Sequence, residues 1–478
     1  MKIITNAFWL SLCRISTDIL SFVLFAVISR TFGPSGTGEY SYAFAIATLV
    51  ALTSTAGFED YGIRQYARAD DHDRAQLWQD IFSTQCVQLV LGLSALILLL
   101  LAGVLHASSW IVILELSIYV TGWSLSRTFY VPAMASQSMV VPAFTDLSCR
   151  LAAIIGALLL AAFVDPPLPW LLAGFPVAGV LLAGLSLRNA TRHGASLLLA
   201  RTWRGILATV RGTSSFAGSE VLNQFYARTD LLLIAYFLGN ASVGIYATDI
   251  KFVEVGILPL VLLGTAAYPL LSRHAAHDVG AFKHSGRDFT RIVFFFSGWL
   301  AVGIYCLIPL LIVPLFGGKF APAVALLTWI ALFAVMKGVE VAFYRLLYAV
   351  RRQMFYCGSL IVGTAFIVIL NLELIPPFGI LGAIIAAIIS IIVVDAICAY
   401  GLARHLGAGF LAAALVRVTL ALLITAAIIT SVRRFVDTGP WLSALLGCGA
   451  FPLLGILLGL VPNPRRSLLL RQQPAASL

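Results

Sequence analysis

The sequence predicts an all-α polytopic membrane protein with about fourteen transmembrane helices. Three observations carry that prediction. Apolar stretches long enough to cross a bilayer recur from Ala7 to Val461 with only short connections between them, and a hydrocarbon core of about 30 Å needs roughly 20 mostly apolar residues at 1.5 Å rise per residue. Sixty per cent of the residues are hydrophobic, 11% are charged, and the mean hydropathy is +0.97, far too little polar surface for a water-soluble chain of 478 residues. The stretches are continuously apolar and do not alternate, which excludes a transmembrane β-barrel.

In chain order the expected spans are 7–29, 40–58, 81–105, 110–130, 140–164 and 168–187, then 212–236, 243–271, 290–314, 322–345, 354–372 and 378–402, and finally 412–432 and 441–461. Spans 1 and 2 are separated by a glycine-bearing turn, and Arg64, Arg68 and Arg74 close span 2. The 3–4 boundary rests on Leu105–Trp110, Arg127 ends span 4, and the 5–6 boundary rests on Asp165–Pro169. Arg188, Arg192, Arg201, Arg204 and Arg211 fill the connection to span 7. Span 8 follows a second glycine-bearing turn and closes at Arg273; Gly256, Pro259, Gly264 and Pro269 mark bends within it. Lys283, Arg287 and Arg291 precede the body of span 9, Arg351 and Arg352 follow span 10, and Arg404 follows span 12.

Charge fixes the expected orientation. With the N-terminus inside, the inner face carries 21 Lys and Arg and the outer face 4, namely Arg30, Lys319, Arg433 and Arg434. Lys and Arg resist translocation in short loops, so both termini are expected in the cytoplasm. The net charge of +10 is then mostly this topological bias and an attraction to anionic inner-leaflet lipids. No soluble basic domain exists to carry nucleic-acid binding. All seven cysteines fall in apolar stretches without Cys-x-x-Cys or Cys/His spacing, so neither a metal site nor a disulfide framework is indicated, and no cofactor is expected. The first apolar run is too long for a signal-peptide core, so span 1 is expected to be retained.

The chain repeats itself. Residues 28–40 lie on 234–246 without a gap, at an offset of 206, matching Ile28/Ile234, Gly33/Gly239, Gly38/Gly244 and Tyr40/Tyr246. Downstream of each copy come a glycine (Gly57, Gly264) and an arginine (Arg64, Arg273). An even number of helices per repeat gives two lobes of like orientation, related by a pseudo-twofold axis along the membrane normal. The expected organisation is an N-terminal six-helix lobe (1–187), a basic cytoplasmic inter-lobe loop (188–211), a C-terminal six-helix lobe (212–402), extra helices 13–14 (403–461) and a cytoplasmic tail (462–478).

Ser29-Arg-Thr-Phe-Gly-Pro-Ser-Gly-Thr-Gly-Glu-Tyr40, followed by Gly57 and Gly62-Ile-Arg64, resembles the N-terminal signature of bacterial polysaccharide flippases. Asn223-Gln-Phe-Tyr-Ala-Arg-Thr-Asp230, then Gly239, Val243-Gly-Ile-Tyr246 and Tyr268-Pro-Leu-Leu-Ser272, resembles their second-lobe signature. The resemblance covers roughly residues 1–460. It implies a Wzx-type O-antigen or exopolysaccharide flippase of the multidrug/oligosaccharidyl-lipid/polysaccharide superfamily in the bacterial inner membrane. The implied cargo is a polyprenyl-pyrophosphate-linked oligosaccharide, moved from the cytoplasmic to the periplasmic leaflet by alternating access. Implied partners are a polysaccharide polymerase and chain-length proteins of surface polysaccharide or lipopolysaccharide assembly.

Such cargo needs a hydrated cationic cavity. Ionisable residues inside spans cost several kcal/mol unless they are paired or face water, so each is a functional candidate. Arg14, Arg150, Arg228, Lys251, Lys337 and Arg417 qualify. The first five are candidates for the pyrophosphate; Arg417 lies one turn from the end of span 13 and is expected to snorkel. Arg14 further resembles a cationic position that flippases use in their first helix. A structural reading stands beside each: Arg14/Asp18 and Asp146/Arg150 are i,i+4, and Lys251/Glu254 and Lys337/Glu340 are i,i+3, so they can simply neutralise one another. Arg228 has no partner at helical spacing. Asp18, Asp146, Asp230, Asp249, Glu254 and Asp395 are candidate ion-coupling groups, because desolvation favours the neutral form of a carboxylate. No nucleotide-binding sequence occurs: the run Gly33–Gly38 lacks the Lys-Ser/Thr that must follow, and reads as a turn. Trp9, Phe22, Phe225 and Tyr226 offer stacking surfaces for sugars.

Two other functions compete. A cation-coupled multidrug antiporter of the same superfamily favours an acidic cavity. A membrane polysaccharide polymerase or ligase needs a sizeable outward loop, whereas the longest here, near 30–39 and 433–440, have about ten residues and no His. The chain is therefore expected to transport and not to be an enzyme.

Overall fold

The computed structural model describes residues 2–55, 57–66, 71–101, 110–136, 138, 140–195, 198–199, 202–435 and 440–461; within these helices the side chains of 2–12, 14, 54, 60, 71–72, 135, 215–216, 219, 433–435, 440 and 443 are outside the description. The described chain is helical throughout, with no strand. The elements are α1 (Lys2–Thr55), α2 (Phe58–Tyr66), α3 (Asp71–Leu101), α4 (Trp110–Phe129), α5 (Val131–Ala135), α6 (Val140–Phe163), α7 (Leu168–Leu172), α8 (Gly174–Arg192), α9 (Trp203–His277), α10 (Val279–Cys306), α11 (Ile308–Phe316), a 3-10 segment (Gly318–Leu326), α12 (Leu327–Ala349), α13 (Gln353–Phe378), α14 (Ile380–Leu406), α15 (Ala408–Phe435) and α16 (Pro440–Leu457).

α1 and α9 would be about 80 and 110 Å long as straight rods, far beyond a bilayer. Neither is straight. Each is two helices meeting at a glycine, Gly33 (φ 68°, ψ −166°) and Gly239 (φ 76°, ψ 177°). That backbone region is essentially closed to residues with a Cβ, and the two glycines are the matched pair of the 206-residue repeat. The bend at Gly33 is sharp: Thr37 Oγ1 donates to the Gly33 carbonyl at 2.8 Å and sits 3.1 Å from Ser29 Oγ, although eight residues of straight helix would separate positions 29 and 37 by about 12 Å. With these breaks, the described part of each of the fourteen expected spans is chiefly helical, span 6 crossing from α7 to α8, span 9 from α10 to α11 and span 10 from the 3-10 segment to α12; ten helices among the described residues are long and apolar enough to cross a membrane.

Helices overrun the expected spans where the sequence turns polar. α3 begins ten residues before span 3, α10 eleven residues before span 9, and α9 nine residues before span 7, so only 193–202 of the basic segment 188–211 connects α8 to α9. A helix satisfies its backbone equally well in lipid and in water, so polarity moves the membrane boundary without ending the helix. α10 shows its own start signal: Asp278 accepts from the Ala281 N–H at 2.9 Å.

The chain packs as two compact units, Met1–Ala235 with Gly239–Gly244, and Tyr236–Leu238 with Ile245–Leu478. The division follows the Gly239 break, whereas the repeat divides the chain before span 7. The first half of α9 packs within the first unit: a Cβ on Gly205 would strike the Asp80 carboxyl, one on Gly212 would strike the Tyr61 ring, and Glu220 accepts from the Gly57 N–H at 3.0 Å. α4 and α8 approach backbone to backbone at Gly122 and Gly179. In the second unit α16 docks on α10 through Phe295 and Phe451, whose centroids are 5.9 Å apart, and through Trp299 Nε1, which donates to the Cys448 carbonyl at 3.0 Å. Large apolar side chains such as Leu98, Ile369, Leu423 and Leu457 stay exposed, as a lipid-facing surface requires.

Within the first unit the repeated turns hold each other. A Cβ on Gly38 would overlap the carbonyl oxygen of Asn240, and a Cβ on Gly244 would overlap the carbonyl oxygen of Pro34. Pro34 and Asn240 are themselves matched at the offset of 206, so the contact is reciprocal. Gly38→Ala and Gly244→Ala are each expected to destabilise the protein by about 1–3 kcal/mol, since backbone cannot repack around a methyl group. The double substitution should cost less than the sum, because both act on one contact. Thermal unfolding in detergent, compared across the four proteins, measures this.

Candidate functional site

In the first unit, polar chemistry converges between α4 and α6, which both pack on α1 and α8 and reach one another through the side chains of Trp123 and Arg150. Arg150, on α6, has a side chain only 13% exposed, and its Nε lies 3.3 Å from Asp146 Oδ1 one turn earlier. Its guanidinium stacks over the indole of Trp123 on α4, 4.5 Å from the ring centroid. Planar stacking on an aromatic face suits Arg and fixes the plane of the guanidinium. Asp146 takes Nε, so both Nη groups point their donors elsewhere than the pair. Asp18 on α1 lies within electrostatic reach of Arg150. Arg127 reaches the same indole at 5.9 Å and is ion-paired with Glu59 of α2. Thr55 and Ser124 join α1 to α4 beside this cluster. One turn before Tyr119, Glu115 keeps a buried oxygen with no hydrogen-bond partner among the described residues.

Further along the first unit, Arg228 stands over the Phe44 ring at 6.0 Å. Asp230 is buried and accepts from the Leu231 N–H at 2.8 Å. Tyr226 is buried and Phe225 is exposed. Arg14 lies on α1, but its side chain, like that of Trp9, is outside the described residues.

In the second unit the polar centre lies among α12, α13 and α14. Lys337 Nζ is 2.6 Å from Glu340 Oε2, and Tyr356 OH donates to Glu340 Oε1 at 2.9 Å. Asp395 on α14 is 6% exposed, and among the described residues neither carboxylate oxygen has a hydrogen-bond partner; Glu340 and Lys337 are the charges it feels. Asp249 on α9 is fully buried, and among the described residues both its oxygens likewise lack hydrogen-bond partners. Lys251 pairs with Glu254 at 3.0 Å, both partly exposed. Among the described residues no group of three or more His, Cys, Asp or Glu gathers as metal ligands do.

The structure therefore brings Asp18, Asp146 and Arg150 together in one unit, and Lys337 and Asp395 together in the other. Arg150, Lys251 and Lys337 all have the intrahelical partner that their spacing allows. Trp123, Tyr356 and Glu115 escaped the reading of the sequence. Glu115 carried the signal of any ionisable residue in a span; an indole or phenol in an apolar stretch carries none.

The sequence matches the family described as "Polysaccharide biosynthesis protein" over residues 3–275, more than half of the chain. The chain belongs to that family. No curated protein matches the sequence significantly. Among solved structures, this family member is similar to a lipid II flippase, MurJ, in an inward closed conformation, with a TM-score of 0.74 at 16% identity, covering 94% of this chain and 98% of that one. It is similar to an inward-facing multidrug resistance MATE family transporter of the MOP superfamily (TM-score 0.59, 12% identity, 82% and 98% covered). It also resembles a MOP superfamily transporter from Pyrococcus furiosus described as having a binding pocket of reversed polarity (0.56, 12%, 84% and 95%). Such likeness shows the fold alone, the one these solved structures share.

The ion pair at the centre of the second unit gives a direct expectation. Lys337→Met should lower stability by about 2 kcal/mol, because Glu340 and Asp395 are left as two buried acids without a cation. Lys337→Met with Glu340→Leu should recover most of it. The retained folded fraction after heating in detergent distinguishes the two proteins.

Proposed function

We propose that this polysaccharide biosynthesis family member is a flippase for a polyprenyl-pyrophosphate-linked oligosaccharide, an O-antigen or exopolysaccharide repeat unit. It carries the unit from the cytoplasmic to the periplasmic leaflet of the bacterial inner membrane by alternating access, with both termini in the cytoplasm. The observation that carries the reading is the Arg150 site: a guanidinium held inside a membrane bundle, its plane set by Trp123, one donor spent on Asp146 and the rest left over. A pyrophosphate is the ligand whose oxygens match such a fork. Arg14 and Arg228 add charge from α1 and α9; Lys251 and Lys337 are the more committed cations, each held by its glutamate. Likeness of fold to a lipid II flippase supports the same class of cargo. Polymerase and chain-length proteins are the natural partners, because they act on the delivered unit.

The buried unpartnered carboxylates Asp249 and Asp395 favour a second feature, coupling to an ion gradient, with Asp18, Asp146, Asp230 and Glu254 as further candidates. One charge crossing 100 mV is worth about 2.3 kcal/mol. The same carboxylates suit a cation-coupled multidrug antiporter, the reading to be separated by experiment. In a strain lacking the protein, the carrier-linked glycan should accumulate in the inner leaflet, and restoring the gene should clear it. An unchanged glycan pool together with lost efflux of a cationic dye would establish the antiporter instead.

Arg150→Gln and Arg228→Gln should each reduce surface-polysaccharide output about ten- to a hundredfold at matched membrane abundance, the loss of a charge-assisted hydrogen bond to cargo. The Lys versions should keep part of it, since charge survives while the fork is lost. Equal output from Lys and Gln versions would show that charge does not hold the cargo.

A further inference from the structure

The second unit contains a cationic cluster that cargo binding does not use. Near the start of α10, Arg287 donates through Nε and Nη2 to the carbonyl of Leu406, the last residue of α14, at 3.0 and 2.7 Å. Its guanidinium lies 4.9 Å from the ring centroid of Phe410 on α15. Arg291, one turn on, approaches the same ring at 5.4 Å. Arg417 of α15 completes the group; its Nη1 lies 3.7 Å from the place a Cβ on Gly459 would take.

The cluster is short of negative charge. Asp288 is its acid, 3.8 Å from Arg291 Nη1, and it also faces His284 Nδ1 at 3.4 Å. Arg291 feels that one attraction against repulsion from both Arg287 and Arg417. Its Nε is buried and has no hydrogen-bond partner among the described residues. Among the described residues one carboxylate, that of Asp288, stands against three guanidiniums, an excess of about two positive charges, and the Phe410 ring lies against two of them. A fork of fixed N–H donors with an unspent buried Nε matches the oxygens of a phosphate.

The surroundings say which phosphate. Val416 and Leu420 flank Arg417 on α15, and Leu453 and Leu457 lie on α16 toward Gly459; all four are exposed apolar side chains. A free anion has no use for that surface, whereas an acyl chain does. Basic pockets between membrane helices on the cytoplasmic side suit anionic headgroups, and Arg351, Arg352 and Arg404 place this end of the unit on the expected inner face.

We infer that Arg287, Arg291 and Arg417 form a binding site for the phosphate of an anionic phospholipid, whose chains lie along α15 and α16. The shared chemistry is a phosphate monoanion, and the lipid headgroup is its source. The site lies at the docked end of the two helices that follow the repeat, so the lipid joins α10, α14 and α15 at their common corner.

The full-length protein, purified and stripped of lipid, tests this by native mass spectrometry and thermal unfolding with phosphatidylglycerol, phosphatidylcholine or inorganic phosphate. Phosphatidylglycerol should bind and raise the unfolding temperature; the other two at equal concentration should not. Arg417→Gln should weaken phosphatidylglycerol binding about tenfold, Arg417→Lys less, and Lys283→Gln, at an exposed cation near the start of α10, not at all. Arg291→Gln should weaken it further; if that variant does not fold, the Arg417 pair alone decides the matter. Equal binding of phosphatidylglycerol and phosphatidylcholine, an equal response to inorganic phosphate, or unchanged binding in Arg417→Gln would each overturn the inference.

Discussion

Two backbone turns meet with no room for a side chain between them, and much of the architecture hangs on that contact. Gly38 faces the carbonyl of Asn240 while Gly244 faces the carbonyl of Pro34. A methyl group at either glycine would strike main chain, which cannot change rotamer to escape. Gly33 and Gly239 supply the sharp bends that bring the turns to this point. Inside a membrane the hydrophobic effect gives helices little reason to associate, so close backbone approach and polar contacts must do so instead. The approach of α4 to α8 at Gly122 and Gly179, and the Lys337–Glu340–Tyr356 network, are the same solution in other places.

What could be read from the sequence follows from how far each signal reaches. Apolar length reports the bilayer directly, so the described part of every expected span is chiefly helical. The repeat reported Gly33 and Gly239 as a pair, and the backbone gives both the same rare conformation. The polar extensions of α3, α9 and α10 were invisible to hydropathy, which marks the edge of lipid and not the end of a helix. The mutual contact of the two turns was illegible too, although both were quoted, because no local pattern says that residues about 200 apart touch.

The polar sites divide in the same way. Intrahelical partners of Arg150, Lys251 and Lys337 were legible, because three- and four-residue spacing is a property of the helix alone. Trp123 was not: bringing an indole to Arg150 depends on how α4 and α6 are each set against α1 and α8. Nor was the partnerless state of Asp395, which depends on what neighbouring helices fail to supply. The same arrangement sets Lys251 and Lys337, each within 3.0 Å of a glutamate, apart from Arg150, which meets Asp146 through Nε alone.

The reciprocal turn contact also has a consequence for how the chain is made. The turn at 33–38 leaves the ribosome 206 residues before its counterpart at 239–244. At about 5–20 residues per second, some 10–40 s separate the two. For that interval a bare backbone surface waits in the membrane without the partner that covers it, longer than helices or hairpins take to form. The nascent first half is thus an incomplete object, and the insertion machinery must shelter it until the second half arrives.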